Sequence, residues 1–123
     1  MKELIDDSRP IFVQIAERIE NDILSGNLPE ESQAPSTNQF AAHYQINPAT
    51  AAKGINLLVE EGILYKKRGI GMFVVEGARE KLAEKRRGQF YEQYVETMLR
   101  EAEKLAISRE DVVRMIEQGG GKS

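Results

Sequence analysis

Residues Ser36 to Val75 constrain this chain more than any other stretch, because they spell four structural elements joined by gaps too short to rearrange. Ser36 with Gln39 three residues on is a capping-box pattern, in which each side chain satisfies a backbone N–H at the start of a helix. It predicts a helix over about residues 36–44 that buries Phe40 and Ala41. Asn47-Pro48 pairs an N-cap side chain with a proline whose missing N–H costs nothing at the first helical position. A second helix over about 48–61 follows, with Ala51, Ile55, Leu58 and Val59 on its inner face and Gly62 ending it. The linker Tyr44-Gln45-Ile46 is short enough to force a sharp angle between the two. Ile63–Lys66 and Met72–Val75 are short β-prone runs joined across Arg68-Gly69-Ile70-Gly71, a hairpin signal. Helix, tight turn, helix and hairpin, in that order, make a winged helix-turn-helix. In that arrangement the second helix enters the DNA major groove with its N-terminal residues at base edges.

Outside this stretch the pattern is mainly helical. Residues 1–9 read as a flexible or strand-like arm. From Pro10 to Ser25, Ile11, Phe12, Ile15, Ile19, Ile23 and Leu24 fall on one helical stripe, and Ser25-Gly26-Asn27 stops it with Gly26 as a left-handed cap. Residues 27–35 are loop, punctuated by Pro29 and Pro35. Glu76-Gly77-Ala78 marks a boundary, giving a winged-helix domain over 1–75 and a helical dimerisation tail over 76–123. In the tail, 79–106 reads as one long helix, Ser108 with Asp111 restarts a short one to Gln118, and Gly119-Gly120-Gly121 closes it.

With 123 residues, 41% hydrophobic and 30% charged, the chain has the composition of a folded water-soluble protein. It lacks both an apolar run long enough to span a bilayer and a signal-like N-terminus, so the expected setting is cytoplasmic. Without cysteine there are no disulfides and no thiolate metal sites. The net charge of −3 is unusual for a DNA-binding chain, but phosphate affinity depends on where cations sit rather than on the total. No acid occurs between Glu31 and Glu60, while Lys53, Lys66, Lys67 and Arg68 mark the second helix and the hairpin. Modest, strongly salt-dependent affinity is expected.

Asn47 either caps its helix or pairs with adenine, and Thr50 either lies exposed or meets a thymine methyl. Ala49 and Ala52 are small enough for close approach to a groove, and Lys53 is a candidate phosphate clamp. Ser36 and Asn38 open a helix whose N–H groups can face a phosphate. Lys66, Lys67 and Arg68 lead into Gly69 and Gly71, whose lack of side chains permits close backbone approach. Gly69-Ile70-Gly71 is no dinucleotide fingerprint, having neither a third glycine nor a strand-to-helix context. His43, the only histidine, has no cysteine or neighbouring acid to form a metal site or catalytic dyad, and belongs to helix surface or packing. No catalytic constellation is present, so an enzyme is not expected.

In the tail, Tyr91, Val95, Met98, Ala102 and Leu105 repeat every seven residues, and Leu82, Phe90, Tyr94 and Leu99 widen the stripe. The short helix adds Val112, Val113, Met115 and Ile116. A fold-back pair of helices leaves apolar area uncovered, which is assigned to a dimer interface including Val112 and Ile116. Arg79, Lys81, Lys85, Arg86 and Arg87 either face DNA or pair with Glu80 and Glu84 along the helix. Phe90, Tyr91 and Tyr94 are candidates to line an effector pocket.

These elements together resemble the GntR family of bacterial transcription regulators. The resemblance is carried by Pro10-Ile11-Phe12, Gln14-Ile15-Ala16, Ile23 to Leu28, Pro35-Ser36, Phe40-Ala41, Thr50, Leu57 to Leu64 and Lys67 to Val74. Asn38, Pro48 and Ala52 stand where the family commonly places arginine, and the Asn47 to Thr50 opening is similar to the YtrA subgroup. The resemblance implies a homodimeric repressor without cofactor, acting on an inverted-repeat operator. It further implies control of an operon encoding an ABC transporter, and leaves open a small-molecule effector. The alternative reading is a winged-helix adaptor that binds protein and not DNA.

Overall fold

Helix α1 (Ile11–Ser25) begins directly after Pro10 and ends at Gly26, whose φ of 89° places it in the left-handed region. In the computed structural model, which describes residues 8–119, the chain divides into two compact units, Met1–Glu84 and Lys85–Ser123. The expected N-terminal arm falls mostly outside the described residues, as does the end of the glycine run.

In the first unit, Ile15, Ala16, Ile19 and Ile23 of α1 are buried against α3 (Pro48–Glu60). Helix α2 (Thr37–Tyr44) packs Phe40 and Ala41 into the same core, and Gln45 leaves it in a left-handed conformation. Both arms of the capping box form: Gln39 N–H donates to Ser36 Oγ at 3.0 Å and Ser36 N–H to Gln39 Oε1 at 2.9 Å. At α3, Asn47 Oδ1 accepts from Ala49 N–H at 2.7 Å. Gly62, at φ 77°, closes α3 with Ile63 N–H donating to the Leu58 carbonyl. Val59, expected on the inner face, is only half-buried; Gly54 takes its place in the core-facing row with Ala51, Ile55 and Leu58.

Strands β1 (Leu64–Lys67) and β2 (Gly71–Val74) pair antiparallel, Leu64 opposite Val74 and Lys67 opposite Gly71. The period of two sends Leu64 and Val74 into the core and places Tyr65, Lys67 and Phe73 on the other face. The loop before α2 supplies an unforeseen third edge. Glu31 N–H donates to the Val74 carbonyl, Val74 N–H to Ser32 and Ala34 N–H to Met72.

The compact units part after Glu84, a few residues beyond the boundary expected at residues 76–78. Ala78 and Leu82, on the first turns of α4 (Ala78–Phe90), belong to the core of the first unit. The start of α4 is also tied down: Arg79 N–H donates to Glu30 Oε2 and Arg79 Nε–H to the Leu24 carbonyl. Arg79 is therefore an anchor within this unit.

In the second unit the long helix is interrupted. A π-helical turn (Tyr91–Val95) separates α4 from α5 (Glu96–Lys104), with Glu96 N–H reaching back five residues to the Tyr91 carbonyl. Helix α5 ends with Ala106 in the left-handed region at φ 58°, Ile107 N–H bonding to the Ala102 carbonyl and Ala106 N–H to Glu103. Ser108 Oγ accepts from Asp111 N–H and opens α6 (Arg109–Gly119), which folds back on α5.

Candidate nucleic-acid interface

Because Ala51, Gly54, Ile55 and Leu58 face inward, helical periodicity puts Ala49, Lys53 and Asn56 on the outward side of α3, all exposed. Asn47 and Pro48 are exposed at its start, and Thr50 lies half-buried on its flank. Asn56 was missed in reading the sequence, although seven residues from Ala49 is the spacing that finds it. Its amide is one more group able to pair bidentately with a base edge.

Lys53 differs from the expected free clamp. Its ammonium sits 4.2 Å from the centroid of the Phe12 ring, so the cation is held against α1. Phe12, Ala49, Ala52, Lys53, Asn56, Leu57 and Glu60 border a shallow groove along this face. Ser36 and Asn38 are exposed at the opening of α2, and the Ser36 hydroxyl is engaged in its cap. His43 is exposed on α2, its ring edge-on to Tyr44 at 4.6 Å.

The hairpin carries Lys66, Lys67, Arg68, Gly69 and Ile70 exposed at its end. Lys67 Nζ lies 4.2 Å from the Phe73 centroid and 5.9 Å from that of Tyr65, so an aromatic pair supports this cation from below. Tyr65 Oη donates to Glu31 Oε1 at 2.9 Å, and that bond, with desolvation and the carboxylate's charge, raises the phenol above its ordinary ionisation range. Gly69 adopts φ 78° at the tip and a side chain there would meet open space. Gly71 has an intramolecular reason to lack a side chain. A Cβ there would lie 2.6 Å from Gln33 Nε2, and Gln33 uses the space to donate to the Ile70 carbonyl at 3.0 Å. Gln33 had no sequence signal.

The residues assigned to a dimer seam all lie in the second unit and differ in exposure. Ala102 and Val112 are each only 7% exposed where α5 meets α6, so they serve that hairpin and offer no open face. Tyr91, Leu105 and Ile116 are exposed, Met98 is 37% exposed and Val95 half-buried. A π-helical turn also interrupts the seven-residue repeat between Tyr91 and Met98. Tyr91 borders a groove with Leu99, Arg100, Ile107 and Arg109. Phe90 and Tyr94 instead pack against each other, their ring centroids 5.4 Å apart and their planes tilted by 40°.

Among the described residues there is no cluster of His, Asp and Glu able to hold a metal ion, and no helix is long and apolar enough to cross a membrane.

Comparison with known proteins agrees with this architecture. Residues 12–74 match the family described as "Bacterial regulatory proteins, gntR family". The chain is 35% identical over 65 residues to the HTH-type transcriptional repressor NagR of Bacillus subtilis, covering 53% of this chain and 27% of NagR. It is 32% identical over 77 residues to the repressor YtrA of the same organism, covering 63% of this chain and 59% of YtrA. The chain thus spans about a quarter of NagR and well over half of YtrA. Among solved structures, a GntR family transcriptional regulator from Listeria monocytogenes superposes with TM-score 0.73 at 26% identity, covering 92% of this chain and 97% of that one. AraR(DBD), solved in complex with operator ORX1, superposes with TM-score 0.53 at 26% identity, covering 61% and 92%. The relatives are regulators of transcription, not enzymes. A capped two-helix motif, a clasped basic hairpin and a match over residues 12–74 place the chain in the GntR family of bacterial transcriptional regulators.

Proposed function

We propose that this chain is a sequence-specific DNA-binding repressor that acts as a homodimer on an inverted-repeat operator. The observation that carries the reading is the outward face of α3, where Asn47, Pro48, Ala49, Lys53 and Asn56 stand exposed with no acid before Glu60. In this reading Asn47, Thr50 and Asn56 meet base edges, and Ser36, Asn38, Lys53, Lys67 and Arg68 hold phosphate. Gly69 allows the hairpin tip to come close to the duplex. The solved complex of AraR(DBD) with its operator supports the assignment, since that domain shares this fold.

Residues 1–75 form the DNA-binding part in this proposal, extended by the first turns of α4, and the tail joins two copies. Met98, Leu105, Val113 and Ile116 leave apolar surface that a second copy would cover. Two copies would read half-sites about one helical turn apart. Repression follows from occupying promoter DNA, in the cytoplasm, and the resemblance to the YtrA subgroup read from the sequence implies an ABC-transporter operon as the target. An effector that shifts the spacing of the two heads would relieve it.

The test is a gel shift with duplex from upstream of the chain's own gene at two salt concentrations. Retarded, salt-sensitive complexes that survive excess non-specific DNA are expected. Absence of retardation on that duplex, and on any duplex selected from a random pool, would leave the adaptor reading in its place.

A further inference from the structure

Among the described residues, the exposed large hydrophobic side chains fall at Phe90 or beyond with one exception, Ile70, which is 63% exposed at the tip of the hairpin. A single exposed apolar residue ordinarily requires no explanation. Two features set this one apart. Its backbone is held on both sides: Ile70 N–H donates to the Lys67 carbonyl at 2.9 Å, and its carbonyl accepts from Gln33 at 3.0 Å across 37 residues of sequence. Its immediate neighbours are Lys66, Lys67 and Arg68 on one side and two glycines in left-handed or glycine-favouring conformations around it. A clamped apolar tip in a basic setting is built to be presented to a polyanion.

We propose that Ile70 is an apolar wedge that enters the minor groove at an A·T-rich pyrimidine–purine step and contributes to operator choice. This rests on the DNA-binding reading above. The minor groove, about 6 Å wide, is too narrow for the two-stranded ribbon but admits one side chain at its tip. Guanine places an amino donor on that groove floor, which an isoleucine would bury without a partner; adenine and thymine do not. TA and CA/TG steps unstack most readily, and isoleucine is among the side chains that proteins insert between base steps. Arg68 would hold the flanking phosphate while the wedge is seated. Gln33 is a positioning residue, acting through the Ile70 carbonyl.

The test uses the full chain and a duplex it selects from a random-sequence pool, with the hairpin-proximal step located by hydroxyl-radical footprinting. Adenine at that step is replaced by 2,6-diaminopurine, which adds the minor-groove amino group and leaves the major-groove edge unchanged. Ile70→Ala, at an exposed site, is expected to keep its circular dichroism spectrum and lose about tenfold in affinity. Diaminopurine should cost the wild-type chain a similar factor and cost Ile70→Ala nothing more. Permanganate should attack the thymine at that step with the wild-type chain bound and not with the variant. Equal affinity of both proteins, or the same diaminopurine penalty for both, would overturn the wedge while leaving DNA binding intact. A wild-type chain that selects no duplex at all would remove the DNA-binding reading, and this inference with it.

Discussion

Gly54 lets α3 close onto the backbone of Phe12: a methyl group at position 54 would lie 2.6 Å from the Phe12 carbonyl oxygen and 3.0 Å from the side chain of Ile15. A glycine within a helix costs about 1 kcal/mol against alanine, so its presence here reflects the closeness of the two helices. Gly54→Ala is expected to lower the melting temperature by several degrees, because overpacking of about 1–3 kcal/mol outweighs the propensity gain. Gly54→Val should be worse. Thermal unfolding followed by circular dichroism decides it, and an unchanged or raised midpoint for alanine would refute the close approach.

Asn47 caps α3 and, in the proposed reading, also meets a base edge; a single substitution can separate the two. Asn47→Ser keeps an oxygen for the Ala49 N–H and removes the amide that pairs with a base, so stability should hold within a few tenths of a kcal/mol. Discrimination at one operator base pair should fall by about 1–3 kcal/mol. If Asn47→Ser binds selected and mismatched duplexes with the wild-type ratio, Asn47 is a cap and nothing more.

Arg68 stands exposed at the hairpin end, and Arg68→Ala should weaken binding evenly across sequences and reduce the slope of log affinity against log salt by about 1. Titrations at several salt concentrations read both quantities. A slope equal to that of the wild-type chain would remove Arg68 from the phosphate contacts.

Met98 lies at the exposed edge of α5. Met98→Glu places a charge in the proposed seam between copies, and sedimentation equilibrium should show the dimer dissociating at least about a hundredfold more readily, because an uncompensated buried charge costs about 3–5 kcal/mol. A variant as dimeric as the parent would place the seam elsewhere.

The Tyr65–Glu31 bond gives a pH signature. The folded chain holds the phenolic proton more tightly than the unfolded one, so this contribution is complete below the usual tyrosine range near about pH 10 and is lost as pH rises through the raised folded value. In Glu31→Ala the Tyr65 titration, followed by NMR of the ring Cζ, should move back down toward that range. An identical curve in both proteins would show that Glu31 has no hold on the hydroxyl.

What could be read in advance was local and chemical. The pairs Ser36–Gln39, Asn47–Pro48 and Ser108–Asp111, with Gly26 and Gly62, mark helix ends through side chains that act on their own neighbours. What escaped was made by distant segments. Glu31 to Ala34 pair with β2 through backbone atoms alone and leave no trace in side-chain pattern. Ala78 and Leu82 join the first core although Gly77 reads as a break. The seven-residue repeat through Met98 presumes an uninterrupted α-helix, and the π-helical turn at Tyr91–Val95 voids that presumption. The outward row of α3 was half legible: Ala49 and Lys53 were picked out, but Asn56 was not. Gln33 became visible only through its bond to Ile70.

The segment from Glu31 to Ser36 grips the hairpin at one end and caps α2 at the other. In the proposed complex it acts as a ruler between the start of α2, which meets phosphate, and the hairpin tip, which reaches the minor groove. Inserting a single base pair between those two contact points would displace one of them by about 3.4 Å along the duplex axis. A stretch anchored so firmly cannot stretch to follow, so operators for this chain should tolerate no variation in that interval.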